Sequence, residues 1–327
     1  MPVQVLKRKF LAASFAVLGT ALVAPVAVMA QAFPAKPITL VVAFPAGSTT
    51  DNVTRKFADY VRARTNATVL VENRVGADGN IAGQHVLRQP ADGYTVFMTG
   101  NSVHGANANL FKEMPFDPIN DFSAVAGVMT LPMVLVVKSE FPAGNVQEFV
   151  AEAKRRPKPM FFATGNNSTR GASELFKARF GIPVDHVPYR GSPQVVAGLL
   201  AGEFDFAFID TNSVSAFLKD GRLKALAITS AARVPPLPNV PTVAESLPGF
   251  QFGAWVGTVV RAQTPPDVVA YLASLVQGFT SDPATANYLA AFGATTMPLT
   301  SPQLKAYIEQ ETRTWAEIVK FANIDKK

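Results

Sequence analysis

Short β-branched apolar runs alternate with amphipathic helical stretches along most of the chain, and this alternation constrains the fold more than any other feature. Strands that are apolar on both faces need helices on both sides, so the pattern implies an α/β architecture with largely parallel sheets. Residues 38–44 form such a run, and the turn 45–50 leads into a helix whose Val53, Phe57, Tyr60 and Val61 share one face. Strand patterns return at 69–72 and 94–98, with a helix over 81–87 between them and a long polar connection over 100–121 after them. The theme then repeats, with strands at 134–137, 160–163, 184–189, 204–209 and 223–228 separated by helical stretches. Five prolines between residues 234 and 248 mark a connection rather than regular structure. A strand over 253–260 and three helices, 266–279, 283–292 and 302–321, complete the chain. Two α/β units with helices appended at the C-terminus favour two lobes: residues 31–129 plus 247–327 in one, and 130–246 in the other.

The first thirty residues read as an export signal. Lys7, Arg8 and Lys9 precede an uncharged apolar stretch, and small residues around Ala30 and Ala32 offer cleavage sites. The apolar stretch is short for a membrane span, so cleavage is favoured over an uncleaved anchor. Without those three basic residues the net charge of +6 falls to about +3. The basic cluster Lys154-Arg155-Arg156 reads as a solvated helix end, and no pattern points to nucleic acid. The chain has no cysteine, which excludes disulfides, thiol catalysis and thiolate metal sites. Export therefore implies a soluble protein stabilised by its core alone.

Two strand-to-helix loops carry the strongest chemical signal. Open α/β sheets bind ligands beyond the carboxyl ends of their strands, where free N–H groups at a helix start suit an anion. Pro45-Ala46-Gly47-Ser48-Thr49-Thr50-Asp51 is one such loop, and Thr164-Gly165-Asn166-Asn167-Ser168-Thr169-Arg170 is the other. These residue types also cap helices without binding anything, and it is the recurrence in both units that points to a cleft. Arg170 would supply a planar fork for a carboxylate, though an ordinary surface arginine fits the position too. Phe44 either packs on a ligand or belongs to the core, and Asp210, Thr211 and Asn212 end a strand facing the same cleft. Catalytic signatures are thin. His85, His104 and His186 lack metal-like spacing, and Ser168, His186 and Asp210 make a triad only on paper. We expect no catalytic residue, no metal and no cofactor.

The residues also resemble a family. Pro34-Ala35-Lys36-Pro37-Ile38 with Val41-Val42-Ala43-Phe44-Pro45-Ala46-Gly47, then Glu72-Asn73-Arg74 with Gly76-Ala77-Asp78-Gly79-Asn80, match the opening of the Bug receptors of tripartite tricarboxylate transporters. Ala91-Asp92-Gly93-Tyr94, Pro115-Phe116-Asp117-Pro118, Val187-Pro188-Tyr189-Arg190-Gly191, Leu237-Pro238-Asn239-Val240-Pro241-Thr242 and Pro248-Gly249-Phe250 follow in the same order. The resemblance implies a type II periplasmic-binding-protein fold whose two lobes close on a ligand in the cleft between them. It implies a monomeric periplasmic receptor for a small carboxylate, read by integral-membrane transporter subunits. The expected ligand is a small mono- or dicarboxylate, with a dicarboxylate favoured, either linear or aromatic like terephthalate. Residues 46–51 and 164–170, with Tyr189, become the implied ligand contacts. Where relatives carry consecutive glycines this chain has Gly47 and then Ser48 and Thr49, and Arg170 replaces a frequent histidine. A sensor presenting its ligand to a membrane kinase and a hydrolase using Ser168 are the competing functions.

Overall fold

The computed structural model describes residues 33–327, and the expected export signal over residues 1–30 lies outside them. The elements run β1 (Ile38–Val42), α1 (Thr49–Thr65), β2 (Val69–Asn73), α2 (Asn80–Leu87), β3 (Thr95–Gly100), α3 (Asn107–Leu110) and β4 (Phe122–Lys138). They continue α4 (Val146–Arg155), β5 (Met160–Thr164), α5 (Asn167–Phe180), β6 (Val184–Pro188), α6 (Ser192–Ala201), β7 (Phe206–Asp210), α7 (Thr211–Lys219) and β8 (Leu223–Ile228). The last are α8 (Val243–Ser246), β9 (Gly253–Arg261), α9 (Pro266–Thr280), α10 (Pro283–Ala290), β10 (Thr295–Thr296) and α11 (Ser301–Phe321).

The strands form two sheets that share β4. The strand order is β2-β1-β3-β9-β4-β7-β5-β6, with β8 and β10 also paired to β4. β4 lies against β9 from Phe122 to Pro132 and against β7 from Met133 onward, so it changes sheets between two consecutive residues. The chain crosses between the sheets a second time through residues 229–252. Thr229 ties the two crossings together: its N–H donates to Met133 O at 2.9 Å and its Oγ1 accepts from Met133 N at 2.8 Å. Parallel pairing is confined to the flanks, β1 with β2 and β3, and β5 with β6 and β7. The centre is antiparallel through β4 and β9, so the expectation of largely parallel sheets holds only at the edges.

Each sheet has its own apolar core. Val41, Phe97, Trp255, Val259, Leu304 and Ile308 pack on the first, and Val134, Ala163, Val195, Phe204, Ile209 and Ile228 on the second. Truncating a fully buried aromatic such as Trp255 would cost about 3–5 kcal/mol. The segment 100–121, expected as an open polar connection, instead contains a buried π-helical turn, Ser102–Ala106, leading into α3. No helix among the described residues is long and apolar enough to cross a membrane.

Candidate functional site

Four helices begin around one narrow chamber, and the local sequence explains each start. After β1 the chain turns at Gly47, whose φ of 80° suits glycine alone without strain, and Ser48 then caps α1 by accepting from Asp51 N at 3.3 Å. Asn166 caps α5 in a reciprocal box: its side chain accepts from Thr169 N at 3.0 Å while Thr169 Oγ1 accepts from Asn166 N at 3.2 Å. Pro193 sits in the first turn of α6, and Asp210 caps α7 by accepting from Ser213 N at 2.9 Å. The first intrahelical bond of α1 runs from Asn52 N to Ser48 O, which leaves the N–H groups of Thr49 and Thr50 ahead of it.

Ser48, Thr49, Asn166, Ser168, Thr169 and Ser192 form the rim of the chamber, which leaves about 40 Å³ free for water-sized molecules. Asp210 also reaches it and is, among the described residues, the one charged side chain in the lining. The walls touch across the chamber. Thr49 Oγ1 donates to Asp210 Oδ1 at 2.5 Å and accepts from Asn212 Nδ2 at 3.1 Å. Deeper in, Asn167 Nδ2 donates to Asn107 Oδ1 at 2.6 Å, and Asn107 Nδ2 donates to Asn80 Oδ1 at 2.7 Å. Loops of the first sheet are thus hydrogen-bonded to helix starts of the second, a closed arrangement.

Of the residues singled out from sequence, Phe44, Ser48, Thr49, Thr50, Asn166, Ser168, Thr169 and Asp210 line the chamber. The others stand behind or beside it. Asp51 accepts from Gly47 N, Arg55 and Asn73, so it braces the first loop, and those bonds, with the Arg55 charge, hold its carboxyl below the usual range against the opposing effect of burial. Gly165 N donates to Thr169 Oγ1 at 3.1 Å. Thr164 Oγ1 lies 2.6 Å from His186 Nε2, Tyr189 OH donates to Glu203, and Thr211 donates to Phe292 O. Ala46 is absent from the lining.

Arg170 is absent from it as well. Its Nε lies 3.8 Å from Glu174 Oε1, is buried and makes no hydrogen bond, and its charge lies close enough to help depress the pKa of His186. The paper triad does not assemble either, since His186 is taken by Thr164 and Asp210 by hydroxyls. Sequence reasoning missed Thr99, Gly100, Asn101, Met129, Leu131, Met133, Ser192, Ala254, Trp255 and Val256, all in the lining.

Two histidines near the site are held neutral. Burial depresses His104 to about 3. Burial, then the Arg170 charge, depresses His186 to about 4. In the unfolded chain both take up a proton near pH 6.5, so the native state binds fewer protons below that pH. Their contribution is full above about pH 6.5 and is lost as pH falls toward 4. The urea midpoint should therefore drop across that window, and His186→Gln should flatten the drop; an unchanged slope in the variant would show that His186 is protonated in the native protein.

Residues 53–324 match the family described as "Tripartite tricarboxylate transporter family receptor". BugT of Bordetella pertussis is 31% identical over 297 residues, 90% of this chain and 91% of BugT. A UPF0065 protein from the tcbD-tcbE intergenic region of a Pseudomonas sp. is 31% identical over 292 residues, 88% of this chain and 87% of that protein. Among solved structures, an R. palustris protein with adipate superposes with a TM-score of 0.87 at 29% identity, covering 90% of this chain and 100% of that one. The periplasmic binding protein BugD gives 0.85 at 29%, again over 90% and 100%. MatC from Rhodopseudomonas palustris with bound malate gives 0.81 at 28%, over 88% and 100%. The fold is the two-lobed α/β fold of periplasmic binding proteins, as the resemblance implied. The chain belongs to the tripartite tricarboxylate transporter receptor family.

Proposed function

We propose that this protein is a periplasmic receptor that captures a small carboxylate by lobe closure and hands it to the membrane subunits of a tripartite transporter. One observation carries the reading. The starts of α1, α5, α6 and α7 surround one chamber, rimmed by hydroxyls and side-chain amides, with no cationic side chain in its lining among the described residues. Such a site binds an anion through N–H groups, hydroxyls and helix dipoles rather than through a salt bridge. Ser168 supports it: it is buried at the α5 start and its side chain lines the chamber. The lobes, divided near residues 130 and 247, would swing about the two crossings joined by Thr229. The ligand stabilises the closed form by its greater affinity for it. That relatives are solved with adipate and with malate supports an acid as the ligand.

The test is thermal unfolding of the chain, without residues 1–30, against a panel of acids, with amines and neutral sugars as controls. A ligand at about 100 times its Kd should add about 2.7 kcal/mol of stability. Stabilisation by an amine or sugar and by no acid would overturn the reading.

A further inference from the structure

We infer that the ligand carries charge at one end only: a monocarboxylic acid with an uncharged hydrocarbon body. This deepens the receptor reading above, rests on it, and selects the monocarboxylate over the dicarboxylate that the sequence favours. The chamber has two unlike faces. Helix starts supply the hydroxyls and amides, here called the rim, whereas strand residues Met129, Leu131, Met133, Trp255 and Val256, with Phe44, supply the apolar side, here called the floor. Two of the floor strands, β4 and β9, pair with each other, and β3 pairs with the other edge of β9, so their backbone groups bond mainly within ladders that are irregular between Gly127 and Met129: Gly100 and Met129 both oppose Val256, and Leu131 opposes Ala254.

The polar side-chain groups of the floor are spent as well. Asn101 Oδ1 accepts from Trp255 N at 2.7 Å, and its Nδ2 donates to Gly253 O at 3.3 Å and Glu311 Oε2 at 3.1 Å. Trp255 Nε1 donates to the same Glu311 oxygen at 3.0 Å. Thr99 Oγ1 is held 2.6 Å from His104 Nδ1, so whichever of the two carries the proton, the floor has at most one hydroxyl to give. Among the described residues no lysine or arginine lines the chamber. A carboxylate at the rim exchanges water for N–H and O–H donors. A second carboxylate pushed to the floor would lose its water against methylene, thioether and indole groups. Discrimination then comes from what the floor lacks rather than from an added contact.

Titration calorimetry on the chain without residues 1–30, at about pH 8 where both ends of a diacid are ionised, tests this with shape-matched pairs: heptanoate against adipate, and para-toluate against terephthalate. The single-headed acid of at least one pair should bind about a hundredfold more tightly than its two-headed partner. A two-headed acid that binds as tightly as its partner, or more so, overturns this inference and leaves the receptor reading standing. Failure of every acid, here and in the wider panel, removes both.

Discussion

Asp210→Ala should weaken ligand binding by about a hundredfold and destabilise the protein by about 2–4 kcal/mol. The carboxylate is 6% exposed and gathers four donors: Thr49 Oγ1 at 2.5 Å, Ser213 N and Ser213 Oγ at 2.9 Å, and Ser192 Oγ at 3.2 Å. Losing the cap of α7 alone costs about 1 kcal/mol. The larger loss is functional. Thr49 and Ser192 both line the chamber, and Asp210 fixes the direction in which each hydroxyl points. Without it both would rotate freely, and Thr49 would lose its strongest bond across the cleft. Asp210→Asn should fall between the two, because the amide keeps an acceptor for Ser213 N but turns a donor toward hydroxyls that already donate. Urea unfolding and calorimetry separate the two effects. An Asp210→Ala protein that is destabilised yet binds as tightly as its parent would reduce Asp210 to a helix cap.

What could be read from the sequence was local, and what could not was long-range. The loops at 45–51 and 164–170 stood out because strand, small polar residues and helix follow one another within a few positions, and their caps formed as that spacing implies. The floor left no comparable mark. Thr99 and Asn101 meet Trp255 only because β3 pairs with β9 across more than 150 residues, and that pairing has no signature in either segment. β4 was visible only over 134–137, since Ala124, Gly127 and Pro132 dilute the β-branched pattern over the remainder. Arg170 shows the opposite failure. A cation at the start of a helix suggested an anionic ligand, yet Glu174, four residues on, already offers a carboxylate on the same face, and the side chain turns that way. Ser192 was legible in principle: Gly191-Ser192-Pro193 after a strand is a helix-start pattern like those of the two loops that were singled out.

Gly191→Ala should weaken binding by about fivefold to 150-fold while leaving the stability of the unloaded protein within about 0.5 kcal/mol. Gly191 has φ of 172°, extended backbone that any residue adopts, so the substitution carries no conformational strain of its own. The obstacle lies across the cleft. A Cβ at this position would come within 2.8 Å of Pro45 Cγ and 2.9 Å of Pro45 Cδ. A proline ring cannot swing aside as the end of a long side chain can, and Pro45 belongs to the first loop whereas Gly191 precedes α6. Opening the lobes removes the clash, so the cost of about 1–3 kcal/mol for overpacking falls on the closed form alone. A ligand that needs that form must make good the difference from its own binding energy. Pro45→Ala should bind nearly as the parent does, and adding it to Gly191→Ala should restore most of the lost affinity, giving a coupling of about 1 kcal/mol or more in a double-mutant cycle. Additive losses would place the damage in the second lobe itself, where Gly165 lies against the Gly191 backbone, and would argue against closure as the step that Gly191 permits.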